Sequence, residues 1–355
     1  MNCNKRLVFG IIGAGMIAEK HIIGLQKTGN ATVKWVARND ESRLKEFQQK
    51  FDIPFGTVNY LDILSDPEVD AIVITSPPQF HFAMFIDAVN AGKHILLEKP
   101  AAIRRSQIDE MVNVASAHPE LIISDCSSRH ARLQPKFRMV KEIIDSGKLG
   151  EIYFIHHNAV ARQARPGIEY HPSAKWFLNK EIAGGGVLFD WGVYDLSFHL
   201  GLLGDKPELE EINLLFMKNG LDNVDPGTTI FDVEEHFAVD MTFSGGLKYY
   251  WEHASNANME ALNETRIYGT LGGIKLSFCS WESNLIELFD VENDGAGKAR
   301  KTIIEVDMSK QEDNDALSYH FVNVLLGKEE LQMPLSLATK HLDIIYKIYE
   351  QQKLL

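Results

Sequence analysis

The sequence predicts an α/β protein with a doubly wound parallel sheet, followed by an α+β domain with a large open, mostly antiparallel sheet. In the first third of the chain, short apolar strand patterns alternate with helical patterns; later strand patterns follow one another without helices. A chain of 355 residues also exceeds what one hydrophobic core usually serves. We therefore predict domains at 1–125 and 126–355, with a last helix at 336–352 that packs back on the first domain.

The elements of the first domain follow from continuous apolar runs and amphipathic stretches between them. Such runs lack a polar face, as expected for strands of a parallel sheet that is covered on both sides. The predicted strands are 7–12, 33–37, 70–75, 94–97 and 121–124, and the predicted helices are 16–28, 42–51, 79–91 and 105–117.

In the second domain, one predicted helix, 136–146, precedes longer strands in which polar and apolar residues alternate. These strands are 151–163, 209–218, 234–243, 247–255, 265–278 and 285–291. The Ser-Gly-Gly sequence at 244–246 predicts a hairpin turn. The alternating apolar residues Phe237, Val239, Met241 and Phe243 indicate a sheet face covered by a helix, by a partner subunit, or by both.

Composition argues against several classes of partner. The net charge of −13 makes a nucleic-acid groove or an anionic membrane surface a poor fit. Three widely spaced cysteines argue against a disulfide framework or a zinc cluster, and we predict no metal and a reducing, cytoplasmic location. The apolar run after Lys5 and Arg6 looks a little like a signal peptide, but it contains three glycines and lacks a small-residue cleavage site, so we expect no signal peptide. No apolar run is long enough to span a membrane.

A glycine loop gives the first chemical signal. Gly13, Gly15 and Ala18 fit the G-x-G-x-x-A pattern, and they lie between a predicted strand and a predicted helix. The first glycine permits a tight turn, the second lets a pyrophosphate approach the backbone, and the alanine lets the helix pack closely. The helix start, with Met16 and Ile17, supplies N–H groups for the phosphates. This pattern predicts a Rossmann dinucleotide-binding domain; the alternative is a glycine turn in a flavodoxin-like or other α/β fold.

The end of the second strand indicates which dinucleotide is bound. About 20 residues after a glycine loop, an acidic residue usually accepts a hydrogen bond from the ribose of NAD. Here that position falls on Arg38, which can pair with the 2′-phosphate of NADP. We therefore predict NADP(H) over NAD(H). The alternative is that Arg38 points into solvent while Asp40 turns back to the ribose.

The order of motifs resembles the family of glucose-fructose oxidoreductase, inositol dehydrogenase and rhizopine-catabolism proteins (Gfo/Idh/MocA). The resemblance implies the two-domain fold above, hydride transfer between nicotinamide and a sugar-like or polyol carbon, and a homodimer or homotetramer formed through the C-terminal sheet. In pattern the chain is most similar to the tyrosine-containing dihydrodiol dehydrogenase and glucose-fructose oxidoreductase branches. The matching segments are GIIGAGMIAEKH with VARND, ITSPPQFH at 74–81, AGKHILLEKP at 91–100, GGGVLFDWGVYDL at 184–196 and RIYGTLGGIKL at 266–276.

Within this resemblance, the segment HILLEKP carries the catalytic lysine. Lys99 lies beyond the carboxyl end of a predicted parallel strand, where ligands of such sheets bind, and it would stabilise charge on the reacting oxygen. Glu98 would offset the ammonium of Lys99 and help to hold the cofactor. The alternative is a partly exposed Glu–Lys pair at a strand end. Ser76, Pro77 and His81 lie where the family contacts the ribose and nicotinamide, although His81 would serve equally as a helix cap.

The glycine-rich segment at 184–196 departs from the family at one position. The residue four after Asp190, on the same helical face, is usually histidine, and here it is Tyr194. The resemblance then implies that Tyr194, assisted by Lys99, protonates a carbonyl oxygen as hydride arrives, while Asp190 binds a substrate hydroxyl or orients the tyrosine. Because a tyrosine pKa is about 10, this role requires a nearby cation. The alternative is that Tyr194 only packs on the glycine turn.

The predicted function is an NADP(H)-dependent oxidoreductase that acts on a carbinol or carbonyl carbon of a sugar, a polyol or a related cyclic diol. Arg162 and Trp176 are expected to line the substrate pocket, although tryptophan is more often a core or interface residue. Two other functions stay open: a glycosidase-like enzyme that oxidises its substrate transiently with NAD, and a cofactor-sensing regulator without chemistry. The intact Glu-Lys-Pro segment with Lys99 argues against both.

Overall fold

A computed structural model describes residues 6–220, 227, 230–291, 297–309 and 312–352. The chain forms two compact units: Met1–Arg129 with Gln311–Lys340, and His130–Lys310 with His341–Leu355. These units differ from the predicted domains because the segment 311–340 groups with the first unit. Among the described residues, no helix is both long and apolar enough to cross a membrane.

The first unit contains a six-stranded parallel sheet. Its strands are β1 (Leu7–Ile12), β2 (Ala31–Ala37), β3 (Phe55–Thr57), β4 (Ala71–Ile74), β5 (His94–Leu97) and β6 (Ile123–Asp125). The strand order β3-β2-β1-β4-β5-β6 reverses direction at β1, so the carboxyl ends of β1 and β4 form the crevice where such sheets bind ligands. The predicted parallel sheet is therefore confirmed.

Helices cover this sheet, which explains why strand β4 is buried along its whole length. The helices of the first unit are α1 (Met16–Lys27), α2 (Glu41–Phe51), α3 (Leu61–Leu64), α4 (His81–Asn90), α5 (Arg105–Ser116) and α10 (Asp313–Leu325). Helix α10 was not predicted; it packs on α1, where Gly24 approaches Ser318 too closely for any larger side chain. Strand β3 and helix α3 were also missed, since three or four residues carry too little periodicity.

The second unit contains an eight-stranded sheet in the order β14-β13-β12-β11-β7-β10-β9-β8. Every neighbouring pair is antiparallel except β7 and β10, which are parallel. The strands are β7 (Ile152–Val160), β8 (Leu209–Lys218), β9 (His236–Phe243), β10 (Leu247–Ala254), β11 (Leu262–Gly269), β12 (Gly272–Leu276), β13 (Leu285–Val291) and β14 (Ala299–Glu305). The hairpin predicted at 244–246 joins β9 and β10, whereas the single strand predicted at 265–278 is the β11–β12 hairpin.

Helices of the same unit cover one face of this sheet. They are α6 (Pro135–Asp145), α7 (Lys180–Ala183), α8 (Val187–Asp190) and α9 (Gly192–Leu202), and α11 (Leu335–Gln352) crosses from the first unit to the second along the chain. Every residue of α9 is buried. The four alternating apolar residues of β9 are at most 1% exposed within one chain, so no partner subunit is needed to cover them. Assembly into a dimer or tetramer stays a prediction.

Candidate functional site

Two glycines of the loop between β1 and α1 meet different constraints. At Gly13, φ is +101°, and a side chain would come within 2.7 Å of the Ser76 backbone nitrogen, so the fold itself requires glycine. At Gly15, φ is −98°, and a Cβ atom would have no heavy atom within 4 Å. Within the part of the chain that the structure describes, nothing excludes a side chain from Gly15. This loop therefore fits a group, such as a pyrophosphate, that approaches the backbone from outside.

The first turn of α1 continues this surface. Met16 is 52% exposed, Ile17 is partly buried, and Ala18 is fully buried against the sheet. The small side chain of Ala18 is what brings the helix close to β1, as the G-x-G-x-x-A pattern predicts. The free N–H groups of a first helical turn carry partial positive charge and suit phosphate oxygens.

Arg38 reaches the glycine loop from the end of β2. Its guanidinium donates a hydrogen bond to the Ala14 carbonyl, and the side chain is partly exposed. Asp40 has a different task, since its carboxylate accepts a hydrogen bond from the Arg43 N–H at 3.1 Å and caps α2. The alternative in which Arg38 points into solvent and Asp40 turns to the ribose is therefore not the arrangement of this structure.

Glu98 has partners that the sequence analysis did not identify. Its buried carboxylate contacts His21 Nε2 at 2.8 Å and accepts a hydrogen bond from Arg129 Nη1 at 2.5 Å. Burial acts to raise the pKa of Glu98, but the charges of Arg129 and His21 outweigh it and hold that pKa well below its usual range. The structure shows Arg129 beside the Glu98 carboxylate. That Glu98 also offsets the ammonium of Lys99 stays a prediction.

Lys99 follows directly at the carboxyl end of β5. Its side chain is partly exposed, its backbone N–H donates to the Glu98 carboxylate at 3.2 Å, and the Lys99–Pro100 peptide bond is cis. The buried carboxylate thus holds the main chain that presents the lysine. This arrangement differs from an exposed Glu–Lys pair, because Glu98 itself is only 5% exposed.

His81 connects two loops at the same sheet edge. The ring is fully buried, with Nε2 at 2.8 Å from the Ser76 carbonyl and Nδ1 at 2.9 Å from the Pro100 carbonyl. Burial lowers the pKa of His81. Since both ring nitrogens face main-chain carbonyls, His81 holds the loops after β4 and β5 and is not a helix cap. Ser76 and Pro77 are partly buried beside it, and the Ser76 hydroxyl lies 3.2 Å from Met84 Sδ.

In the second unit, Glu234 organises the glycine-rich segment. Its carboxylate accepts hydrogen bonds from the N–H groups of Gly186 and Leu188, both at 2.9 Å, at the start of α8. A side chain at Gly186 would overlap the Glu234 carbonyl, which explains the glycine. Burial raises the pKa of Glu234. Sequence analysis missed this residue because the interacting groups lie 46 to 48 residues apart.

The sequence analysis placed Asp190 and Tyr194 on the same face of one helix. In the structure they lie on two successive helices. Helix α8 ends at Asp190 and α9 begins at Gly192, with Trp191 between them. Asp190 is partly exposed, whereas Tyr194 is 2% exposed. The Tyr194 ring packs against His130 and Trp191, with ring centroids 4.9 and 5.5 Å away. These contacts are with aromatic rings and do not test the alternative of packing on the glycine turn. The role of Tyr194 in proton transfer stays a proposal.

Both residues that were predicted to line a substrate pocket have side-chain contacts in the second unit. Arg162 is exposed and donates to the Asn256 side-chain oxygen, and Trp176 stacks on Phe177 at 3.8 Å between ring centroids. That Arg162 and Trp176 line the substrate pocket stays a prediction. A small cavity beside Asp190 is lined by Phe177 and Arg165, among others. Arg165 is 1% exposed and pairs with Glu235 at 3.0 Å.

A buried polar cluster lies between α9 and strand β10. The Asp195 carboxylate accepts hydrogen bonds from Trp251 Nε1 at 2.9 Å and His253 Nδ1 at 2.8 Å, and His157 Nε2 lies 3.4 Å away. His199 belongs to the same region, and its Nε2 lies 2.9 Å from the Thr265 hydroxyl. The contacts of Asp195 with Trp251 and His253 connect α9 to β10.

Comparison with known proteins places both parts of the chain. A family model described as "Oxidoreductase family, NAD-binding Rossmann fold" matches residues 7–125, and one described as "GFO/IDH/MocA C-terminal domain" matches residues 137–275. D-glucoside 3-dehydrogenase of Escherichia coli (strain K12) is 32% identical over 212 residues, 57% of this chain and 55% of that protein. Trans-1,2-dihydrobenzene-1,2-diol dehydrogenase of Xenopus tropicalis is 24% identical over 281 residues, 78% of this chain and 77% of that protein.

Solved structures show the same fold. Levoglucosan dehydrogenase in complex with NADH and levoglucosan has a TM-score of 0.83 at 18% identity, and the match covers 98% of this chain and 97% of that chain. At such low identity, this likeness concerns the fold alone.

Proposed function

The chain belongs to the Gfo/Idh/MocA family of NAD(P)-binding oxidoreductases, and from this we propose that it is an NADP(H)-dependent enzyme. Its substrate is a sugar, a polyol or a related cyclic diol, oxidised at a carbinol carbon or reduced at a carbonyl carbon. The names of two relatives, a glucoside dehydrogenase and a dihydrodiol dehydrogenase, support this substrate class. The bound dinucleotide supplies hydride chemistry; the protein supplies binding, orientation and proton transfer.

The position of Arg38 is the observation that carries the choice of NADP. Its guanidinium lies at the glycine loop, where a carboxylate would repel a 2′-phosphate, and Asp40 is engaged as a helix cap. Loss of a charge-assisted hydrogen bond costs ~1.5–3 kcal/mol, so Arg38→Ser should weaken NADP binding by about 10- to 100-fold. NAD binding should change less than about threefold, because NAD lacks the 2′-phosphate.

A fluorescence titration of the wild-type protein and the Arg38→Ser variant with NADPH and NADH tests this choice. Asp40→Asn, which keeps a capping side chain, is the matched control and should leave both affinities unchanged. If the wild-type protein binds NADH more tightly than NADPH, the preference for NADP is refuted. The conclusion that the protein is an oxidoreductase does not depend on this result.

We propose separate tasks for the three catalytic candidates. Lys99 donates a hydrogen bond to the reacting oxygen and stabilises its negative charge, a role supported by its exposed position at the end of β5. Tyr194 gives its phenolic proton to that oxygen during reduction and recovers it during oxidation. Asp190 accepts a hydrogen bond from a neighbouring substrate hydroxyl, which suits a partly exposed carboxylate.

A substrate panel distinguishes this function from the two alternatives. Glycosides, inositols, open-chain polyols and a cyclic dihydrodiol are each incubated with NADP+ or NAD+ while absorbance of the reduced nicotinamide is recorded. Net reduction of the nicotinamide supports the dehydrogenase. Product release from a glycoside without a net change in nicotinamide indicates the glycosidase-like reaction. Dinucleotide binding without turnover of any compound favours the regulator.

A further inference from the structure

Trp281 is unusual among the tryptophans because it lies on the surface. All five tryptophans fall in the described part of the chain, and Trp281 is 57% exposed while the others are buried or partly buried. It lies in the loop 277–284 between β12 and β13. A large apolar ring left in water often marks a contact site for a ligand or partner.

Trp281 is also part of an aromatic group that extends to Tyr194. Its ring contacts Trp191 at 5.8 Å and His130 at 5.1 Å between centroids. Both of those rings contact Tyr194, the proposed proton carrier, at 5.5 and 4.9 Å. We call Trp281, Trp191 and His130 the aromatic shelf. A ligand on this shelf would lie beside the tyrosine.

A buried lysine holds the loop that carries Trp281. Lys136 of α6 is 0% exposed, and its ammonium donates hydrogen bonds to the carbonyl oxygens of Ser277, Cys279 and Ser283 at 2.5–3.0 Å. Burying an ammonium is unfavourable unless its hydrogen bonds are satisfied, and here three main-chain acceptors converge on it. The consequence is a loop with a fixed backbone on both sides of the exposed tryptophan.

The neighbouring side chain is fixed as well. The Glu282 carboxylate accepts hydrogen bonds from the Asn263 side chain at 3.1 Å and from the Ser277 hydroxyl. Trp281 is therefore presented by a preorganised loop, which reduces the entropy that a ligand must overcome on binding.

We propose that the aromatic shelf is a substrate subsite that binds the apolar C–H face of a six-membered ring, that of a pyranoside or a cyclohexane polyol. A rigid ring presents several C–H groups on one side and keeps its hydroxyls at the rim, so it covers an aromatic surface without burying polar groups. An open-chain polyol has no such face. Trp281 is thus a specificity-determining residue; the inference rests on the proposed function, because it is the sugar-like substrate that supplies the ring.

The test measures binding separately from turnover. Calorimetry is carried out on the full chain saturated with NADPH, and in parallel with NADH, since an alcohol cannot be oxidised while the dinucleotide is already reduced. The probes are methyl α-D-glucopyranoside and myo-inositol as rings and D-sorbitol as an open chain. The proteins are the wild type, Trp281→Ala, Trp281→Phe, and Tyr153→Ala as a control at a tyrosine that is 49% exposed in the same unit.

We expect at least one ring compound to bind the wild type, and Trp281→Ala to weaken it about tenfold. The affinity of Trp281→Phe for the ring compounds should stay within about threefold of the wild type, because phenylalanine keeps an aromatic ring at the shelf. The affinity of Tyr153→Ala should stay within the same range, because this variant leaves Trp281 unchanged. Three results would overturn the proposal: no ring compound binds the wild type, Trp281→Ala weakens D-sorbitol equally, or the variant changes the oligomeric mass in light scattering while ring affinity is unchanged. If the ring compounds bind but are not oxidised in the presence of NADP+ or NAD+, the aromatic shelf is still a binding subsite, and the proposed function is refuted.

Discussion

Replacing Gly15 by alanine should separate cofactor binding from folding. The backbone at Gly15 has φ −98°, which any L-residue adopts, and an added Cβ meets no heavy atom of the described residues within 4 Å. The methyl group would instead occupy the space into which a pyrophosphate must come to reach the N–H groups of α1. The glycine is therefore expected to serve the ligand and not the fold.

The size of each effect follows from these observations. Losing one charge-assisted hydrogen bond to a phosphate oxygen costs ~1.5–3 kcal/mol, which weakens dinucleotide binding by about 10- to 100-fold. Stability should stay within about 1 kcal/mol of the wild type, because alanine adopts this φ without strain.

Gly13→Ala is the matched control, and it should behave in the opposite way. Its φ of +101° and the 2.7 Å approach to the Ser76 nitrogen force the backbone to move. Left-handed strain costs ~1–3 kcal/mol before any steric overlap is added, so this variant should unfold at a clearly lower temperature. The assays are thermal unfolding without ligand and fluorescence titration with NADPH and NADH. The reasoning fails if Gly15→Ala binds both dinucleotides normally, or if it loses as much stability as Gly13→Ala.

Three further predictions concern the reaction and the buried carboxylate. Tyr194→Phe should lower kcat by about 100-fold or more at unchanged dinucleotide affinity, and unchanged turnover would remove the tyrosine from the mechanism. Lys99→Met should lower kcat/KM by a similar factor while the Tm stays close to that of the wild type, and a large fall in Tm would instead indicate a structural lysine. Because the folded-state pKa of Glu98 is lowered, its charge stabilises the protein above the unfolded pKa of about 4.3, and this stabilisation is lost as pH falls below that value. Glu98→Gln should lower the Tm at pH 7, by an amount equivalent to ~3–5 kcal/mol, and flatten its acid dependence, since Arg129 loses the buried carboxylate that it pairs with; equal pH profiles for variant and wild type would contradict this.

The sequence by itself determined the parts that depend on local pattern. Continuous apolar runs predicted five of the six parallel strands of the first unit, with β5 at its observed bounds, and missed β3. Glycines at fixed spacing predicted the loop before α1. Arg38, which directly follows β2, was predicted to face the dinucleotide, and its guanidinium lies at that loop. These features lie within one strand–turn–helix unit, so their geometry follows from chain connectivity and backbone sterics.

Only the tertiary structure decided which distant groups meet. Glu98 contacts His21, 77 residues away, and the Glu234 carboxylate accepts a hydrogen bond from the Gly186 N–H, 48 residues earlier. Lys136 reaches carbonyls more than 140 residues along the chain. Hydrogen bonds of this kind depend on how sheets and helices pack, and a buried charge selects whichever partner that packing places beside it. The local periodicity of a sequence does not specify which distant residues come into contact. Strand and loop positions were therefore predictable, and the partners of the buried charges were not.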